Sequence, residues 1–444
     1  MTTENRRQQE DYNMRNRLSR IALATTLLAL ASAAALTTTC AMADQVNLTL
    51  RYCWGGDAEM KAMETVISGW NTANPDIQVK GIGGNIDTEE IAAATAGGTA
   101  PDMIIMCDNG AVAGFAHDGV ILPLNDVLTE IGADTSNLLP AALQWVTYDG
   151  KLYGLPFGQD TYALYYNTDA FKEVGLDPAN PPKTPDELWA AAEKLTKWND
   201  DGSLARAGFI PNDPDKNTEQ TSELFGCHLF DAATQKVTVN SQACVDWLKW
   251  YKRWYETYNK NDAMVNLIAS RTGSDVGLLM TGQQAMGIYG EWDTGKAYIP
   301  TRAPDLKYNT APIPTVDSAM YGASFMNGNA FLVSSATKAA EAAVKFGMYL
   351  MTDDPSRTMA MQNSSVPQLK TLLVDPALTS IPHFQAFLDI ANHPKSWTTP
   401  MIAPYGELKD GLNSALDAVL TGDADPQLVL NDLATSIQAK VDAK

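Results

Sequence analysis

Residues 151–175 read KLYGLPFGQDTYALYYNTDAFKEVG. Asp149-Gly150 supplies a turn before this stretch, and Gly154 and Pro156 keep a helix from starting inside it. Tyr162, Leu164 and Tyr166 then alternate with Ala163 and Tyr165 at the two-residue period of a strand, which puts aromatic rings on both of its faces. Thr168 is expected to cap a short helix, with Asp169 favoured in the first turn and Gly175 available to end it. Two readings fit these residues. One is an ordinary core strand packed on both sides. The other is an extended segment that leaves one α/β region and enters another, exposing Gln159, Asp160 and Tyr162 beside a ligand cleft.

The chain has 444 residues, and its beginning concerns targeting, not folding. Arg15, Arg17 and Arg20 precede an apolar run from Ile21 to Leu36, and Ala41-Met42-Ala43 offers a small-x-small cleavage site before Asp44. A signal peptide over residues 1–43 is expected, starting at Met1 or Met14. Lipid attachment through Cys40 is the rival; Thr37, Thr38 and Thr39 precede it where a lipoprotein site carries Leu and a small residue. Without that segment, 27 basic side chains face 49 acidic ones, a net charge of −22. Such a body repels nucleic acid and anionic membrane surfaces. About 400 remaining residues exceed what one core organises, so two are expected.

Four cysteines follow the signal. Cys227 and Cys244 flank a hairpin that runs into a helix, and a disulfide between them is expected in an oxidising compartment. Cys53 and Cys107 each end a strand, and either a second bridge or two buried thiols fits them. His117, His228, His383 and His393 show no ligand spacing with the cysteines, so neither a metal nor a cofactor is expected.

VNLTLRYCW (46–54) reads as a buried strand, Met60 to Trp70 as a helix, IQVKGIG (77–83) as a strand, Thr88 to Ala96 as a helix and PDMIIMCD (101–108) as a third strand. Ligands of such parallel sheets lie beyond the carboxyl ends of the strands, which nominates Trp54, Asp57, Asp108 and Asn109. Asp108-Asn109-Gly110 also fits an ordinary turn. In TPDELWAAAEKLTKW, Thr184 is expected to cap, Pro185 to occupy the first helical position and Glu187 to complete a capping box, with Leu188, Ala192, Leu195 and Trp198 on one face. Trp247, Trp250, Tyr251 and Trp254 recur at helical spacing and suit a core. The segment QQAMGIYGEWD (283–293) differs in kind. A short apolar strand ends at Gly290 and presents Glu291, Trp292 and Asp293, a set that is costly to bury and useful in a cleft.

An ordered set of motifs spans residues 44–444. It comprises WNTANPDIQV (70–79), GGTAPDMI (97–104), GVILPLNDVL (119–128), DGKLYGLPFGQDTYALYYNTDAFKEVGLDP (149–178), TPDELWAAAEKLT (184–196), GQQAMGIYGEW (282–292), APIPT (311–315), GASFMNGNAFLVS (322–334) and ALDAVLTGDADPQLVLNDLATSIQAKV (415–441). Together these resemble the family 1 extracellular solute-binding proteins of ABC importers, the relatives of maltose-binding protein. The resemblance implies an α/β, two-lobed periplasmic-binding-protein fold, each lobe a mostly parallel sheet flanked by helices, with the ligand cleft between lobes. It places residues 44–156 and 306–352 in one lobe and 157–305 and 353–444 in the other, and it makes residues 151–175 a hinge. It also implies a periplasmic monomer without a reaction of its own, serving the membrane subunits of an ABC transporter.

A sugar is the ligand these residues suit. A pyranose stacks its C–H faces on aromatic rings and exchanges hydrogen bonds with carboxylates and amides. Trp54, Tyr162, Trp292, Trp397 and Tyr405 are the candidate platforms. Asp57, Asp108, Asn109, Gln159, Asp160, Glu291, Asp293, Asn327 and Asn329 are the candidate polar partners. Polyamine is the competing ligand, since a cation also favours carboxylates and aromatic rings. Iron is disfavoured because Tyr165 and Tyr166 are consecutive and point apart in a strand. A secreted glycoside hydrolase would also need paired acids, but no G-x-S-x-G, H-E-x-x-H or phosphate-loop arrangement is present.

Overall fold

The computed structural model describes residues 45–443 apart from 108–109, 212, 214–217, 260–261, 271–276 and 297. The expected signal peptide, Cys40 and the site residues Asp108 and Asn109 lie outside the described residues. No described helix is long and apolar enough to cross a membrane.

The strands that carry the fold are β1 (Val46–Tyr52), β2 (Ile77–Gly83), β3 (Met103–Met106), β4 (Gly154–Asn167), β5 (Leu204–Phe209), β6 (Gln284–Gly290), β7 (Tyr308–Ala311), β8 (Phe325–Val333) and β9 (Trp397–Thr398). They hydrogen-bond in the order β2-β1-β3-β8-β4-β6-β5, with β7 on β4 and β9 on β8. β1 is parallel to β2 and β3, and β5 is parallel to β6. β4 is antiparallel to every neighbour.

β4 is the 14-residue strand inside the stretch that opens the sequence reading. Its first half pairs with β8, from Leu332 opposite Gly154 to Met326 opposite Thr161. Its second half lies between β6 and β7, with Gly290 opposite Tyr162 and Tyr308 opposite Asn167. A glycine pair makes the passage fit. Gly158 has φ +91°, and a Cβ on Gly328 would stand 2.4 Å from the Gly158 carbonyl oxygen. The β8 register shifts between Gly328 and Ala330 at the same place.

Two hydrophobic cores sit along this path. The first gathers Leu50, Trp70, Ile105, Phe331 and Phe346, and the second gathers Leu164, Phe209, Trp247, Trp254 and Leu412. β4 serves both, giving Ala163 and Tyr165 to the first and Leu164 and Tyr166 to the second, as strand alternation requires. The cores divide the chain differently from the boundaries expected at residues 306 and 353. Ala311 and Ile313 belong to the second core because β7 pairs with the far half of β4. Met359 to Ala391 belong to the first, where helix Asp353–Asn363 packs on helix Asp57–Ala73. The chain returns to the second core only by Ile402.

Local chemistry also departs from expectation in small ways. Asn167, not Thr168, caps helix Thr168–Glu173: its side chain accepts from the N–H groups of Asp169 and Ala170, because Thr168 already lies in the helix. Thr184 accepts from Glu187 N–H at 3.2 Å, but the Glu187 carboxylate takes Lys183 N–H at 2.7 Å, one residue before the cap. Trp198 lies beyond the end of helix Pro185–Leu195 and is 43% exposed, so it leaves the face of Leu188 and Leu195.

Disulfides join Cys227 to Cys244 and Cys53 to Cys107. Both cysteines of the first pair are fully buried in the second core. Peptide mapping of exported protein without reduction is expected to recover Cys227 linked to Cys244 and Cys53 linked to Cys107. Free thiols at either pair would contradict that bridge.

Candidate functional site

β6 is buried along its whole length, runs antiparallel to β4 and stops at Gly290, where a single 3-10 turn, Glu291–Thr294, begins. A Cβ at Gly290 would collide with the Trp292 ring at 2.2 Å, so glycine lets that indole fold back over the strand end. Trp292 stays partly exposed, with Tyr162 edge-on at 5.6 Å between ring centroids.

Glu291 goes the other way and is fully buried. Its Oε2 accepts from Thr161 N–H at 2.8 Å, while no described N–H or O–H group of the protein reaches Oε1. Burial pushes its carboxyl well above the usual range, and the neighbouring Asp160 carboxylate, in hydrogen-bonding reach, pushes in the same direction. Asp293 is also buried, and its carboxyl rises to about 7, chiefly through burial; Arg302 pulls it down and Asp213 pushes it up.

These groups converge on a cavity of about 150 Å³. Trp54, Asp160, Glu291, Trp292 and Asn329 line it, each named from the sequence. Trp54 is braced edge-on by Phe157 at 6.1 Å. Glu59, Cys107, Tyr298, Asn363 and Ser365 complete the wall. Among the described lining residues there is no Lys, Arg or His.

The remaining candidates sit elsewhere. Asp57 is exposed at the start of helix Asp57–Ala73, and Glu59, two residues on, is the acid that lines the cavity. Gln159 is wholly buried, not exposed: its amide donates to the Pro367 carbonyl at 2.8 Å and its backbone exchanges hydrogen bonds with Val366, fastening β4 to the segment after helix Asp353–Asn363. Asn327 is half-buried opposite Asp160, with Oδ1 reached by no described donor. Asp293 packs behind the turn. Tyr405 is a core residue whose hydroxyl donates to the Glu219 carboxylate, which removes its ring from any open cleft.

Trp397 belongs to a second, smaller cavity of about 90 Å³ with Phe325, Glu219, Glu223 and His228. Burial raises the Glu223 carboxyl, and hydrogen bonding to Glu223 raises the His228 imidazole. Tyr162 stands between the two cavities, its ring 5.6 Å from Trp292 and 6.3 Å from Phe325. A larger crevice of about 380 Å³ lies between His117 and Tyr148 on one side and Glu407 and Lys440 on the other. Lys440 and Glu407 pair with each other there, and no Trp lines it. The smaller cavity beside Trp292 is therefore the better candidate, since two indoles and a buried carboxyl meet there.

The profile of the bacterial extracellular solute-binding protein family matches residues 67–386. The galactooligosaccharide-binding protein of Bacillus subtilis (strain 168) is 25% identical over 356 residues, 78% of this chain and 78% of that protein. The maltodextrin-binding protein MdxE of the same organism is 26% identical over 364 residues, 78% of this chain and 79% of that one. Among solved structures, CpMnBP1 with mannotriose bound superposes with a TM-score of 0.76 and 27% identity, over 89% of this chain and all of the other.

Proposed function

We propose that this chain, which belongs to the bacterial extracellular solute-binding protein family, captures a mono- or oligosaccharide outside the cytoplasm and delivers it to the membrane subunits of an ABC importer. The observation that carries this reading is the cavity beside Trp292, where two indoles, those of Trp54 and Trp292, line the same space as the buried Glu291 and the half-buried Asp160. Rings offer the apolar faces a pyranose stacks on, and the two acids offer hydrogen-bonding partners to hydroxyl groups. An anionic solute would meet three carboxyl side chains and no described basic one. Relatives named for oligosaccharides point the same way. The aromatic line from Trp292 through Tyr162 to Phe325, beside Trp397, supports room for more than one ring.

The protein binds and releases its ligand unchanged. Glycoside hydrolysis needs two carboxyls roughly 5 Å or more apart. Glu291 and Asp160 instead stand within hydrogen-bonding reach of each other. Reducing ends appearing from any glycan incubated with the protein would overturn this point.

Closure is part of the proposal. The two cores form two lobes that meet at β4, near Gly158, and close on the sugar. A melting screen with mannotriose, maltotriose, a galactooligosaccharide, spermidine and glycerol 3-phosphate tests the ligand class. A sugar at 100 times its dissociation constant is expected to stabilise the fold by about 2.7 kcal/mol. The radius from small-angle scattering is expected to fall with the same sugar. Stabilisation by spermidine alone would move the assignment to a polyamine carrier.

A further inference from the structure

We propose that the Cys53–Cys107 disulfide positions the ligand cavity, holding Trp54 where a sugar face meets it, in addition to stapling the first core; this rests on the cavity beside Trp292 being the ligand site. β1 and β3 are parallel neighbours, with Tyr52 opposite Ile105, and Cys53 N–H donates to the Ile105 carbonyl at 3.2 Å. Beyond that point the two strands part company as a ladder. The bridge joins them just there, with 5.7 Å between the Cα atoms of residues 54 apart in sequence.

The bridge borders the cavity. Cys107 itself lines it, and so does Trp54, the residue next to Cys53. On its other side Trp54 is followed by Gly55 and Gly56, both exposed, and the chain is next anchored at Gly56, whose N–H donates to the Glu59 carboxylate at 3.2 Å and whose carbonyl accepts from Met60 N–H. The indole meets Phe157 at 6.1 Å edge-on and Tyr52 at 6.2 Å. These ring contacts orient it, and the bridge fixes the chain it hangs from. With the bridge cut, the ladder up to Tyr52 and Ile105 survives, but the wall formed by Trp54 and Cys107 has to be ordered during binding instead of before it. That ordering subtracts from affinity.

Cys227–Cys244 provides the comparison within the same molecule. Both of its cysteines are fully buried in the second core, and neither lines the cavity, so its loss acts on stability. Cys53 and Cys107 are only partly buried, which leaves their bridge the more accessible to a reducing agent.

The test is titration with mannotriose, or with maltotriose where the melting screen selects it. The double variant Cys53→Ser, Cys107→Ser is expected to bind about five- to tenfold more weakly than the parent, the size of an ordering cost for one or two side chains. The variant Cys227→Ser, Cys244→Ser is expected to melt earlier and, where folded, to bind as tightly as the parent. Mild dithiothreitol supplies the second arm on the unaltered sequence. The dithiol attacks the accessible bridge, leaves as its own cyclic disulfide and yields two protein thiols. Affinity is expected to drop with the appearance of thiols at Cys53 and Cys107 and to return on reoxidation. If the serine variant does not fold, this arm alone decides. Unchanged affinity after reduction at Cys53 and Cys107 would overturn the proposal. A Trp292→Ala protein that still binds sugar normally would instead remove the cavity assignment on which it rests, so the two failures are separable.

Discussion

Trp292→Ala is expected to weaken sugar binding by about 2 kcal/mol or more, about thirtyfold in affinity, and to leave the melting temperature of the free protein nearly unchanged. The expectation follows from where the indole sits. It is partly exposed, lines the cavity, and has Tyr162 as an edge-on ring neighbour. Truncating it removes a stacking platform and little core. Trp254 is the opposite case, fully buried in the second core with Trp189 at 4.5 Å. Trp254→Ala is expected to cost roughly 3–5 kcal/mol of stability and to leave the affinity of the surviving folded protein close to that of the parent. Calorimetric titration and melting of the two variants separate these roles. A collapse in the melting temperature of the Trp292 variant, with affinity retained, would make Trp292 a packing residue.

Stability is expected to fall as pH rises from about 4 to about 7, in part through Asp293. Burial lifts its carboxyl from the usual 3.8 to about 7. Between those values the folded chain keeps a proton that the unfolded chain has released. The folded state therefore binds more protons there, and its stability decreases with rising pH, levelling off once the folded-state carboxyl has also ionised. The whole shift corresponds to a loss on the order of 4 kcal/mol. Glu291 adds a slope of the same sign, since burial and Asp160 raise it too. Urea unfolding of the parent and of Asp293→Asn at pH 5 and pH 7.5 checks this. The variant is expected to lose part of the difference between the two pH values, Glu291 carrying a further part. An equal difference in both proteins would show that Asp293 does not carry it.

The fold was legible because its main signals are local or strictly ordered. The alternation of Tyr162 to Tyr166, the glycines that bracket the strand and the run of family motifs are all written along the chain, and β4 lies where they put it. The family membership expected from those motifs agrees with the match over residues 67–386. The details that escaped are tertiary. Nothing near Gln159 reveals that the segment after Asn363 returns to cover it, more than 200 residues later. Tyr405 looks like a free aromatic until Glu219 is seen to accept its hydroxyl. Asp57 and Glu59 differ only in helical phase: residues two apart do not share a face, so a one-dimensional pattern that favours an acid after Gly55-Gly56 does not say which acid turns inward. Asn363 and Ser365 follow the same logic. They flank Ser364, whose φ of +51° ends a helix, and only packing carries that turn to the cavity wall.

The two cores divide the chain elsewhere than the expected lobe boundaries for a comparable reason. Residues 353–391 are mostly helical, and no strand pattern in their sequence says which sheet they cover. Their apolar faces find the first core through helix Asp57–Ala73 and β4. Cys53 and Cys107 could be placed at two strand ends from sequence, but whether those strands are neighbours is a matter of sheet order, which the β1–β3 pairing supplies.

The most direct test is a crystal structure of residues 44–444 with the trisaccharide that stabilises the protein most. A pyranose ring is expected across the indole of Trp292, with Glu291 or Asp160 within hydrogen-bonding distance of a hydroxyl and Trp54 on the facing wall. A sugar seated instead in the crevice between His117 and Lys440, with the cavity beside Trp292 untouched, would contradict the site. If none of the sugars can be seated anywhere while spermidine occupies the acid pair, the sugar assignment itself is wrong.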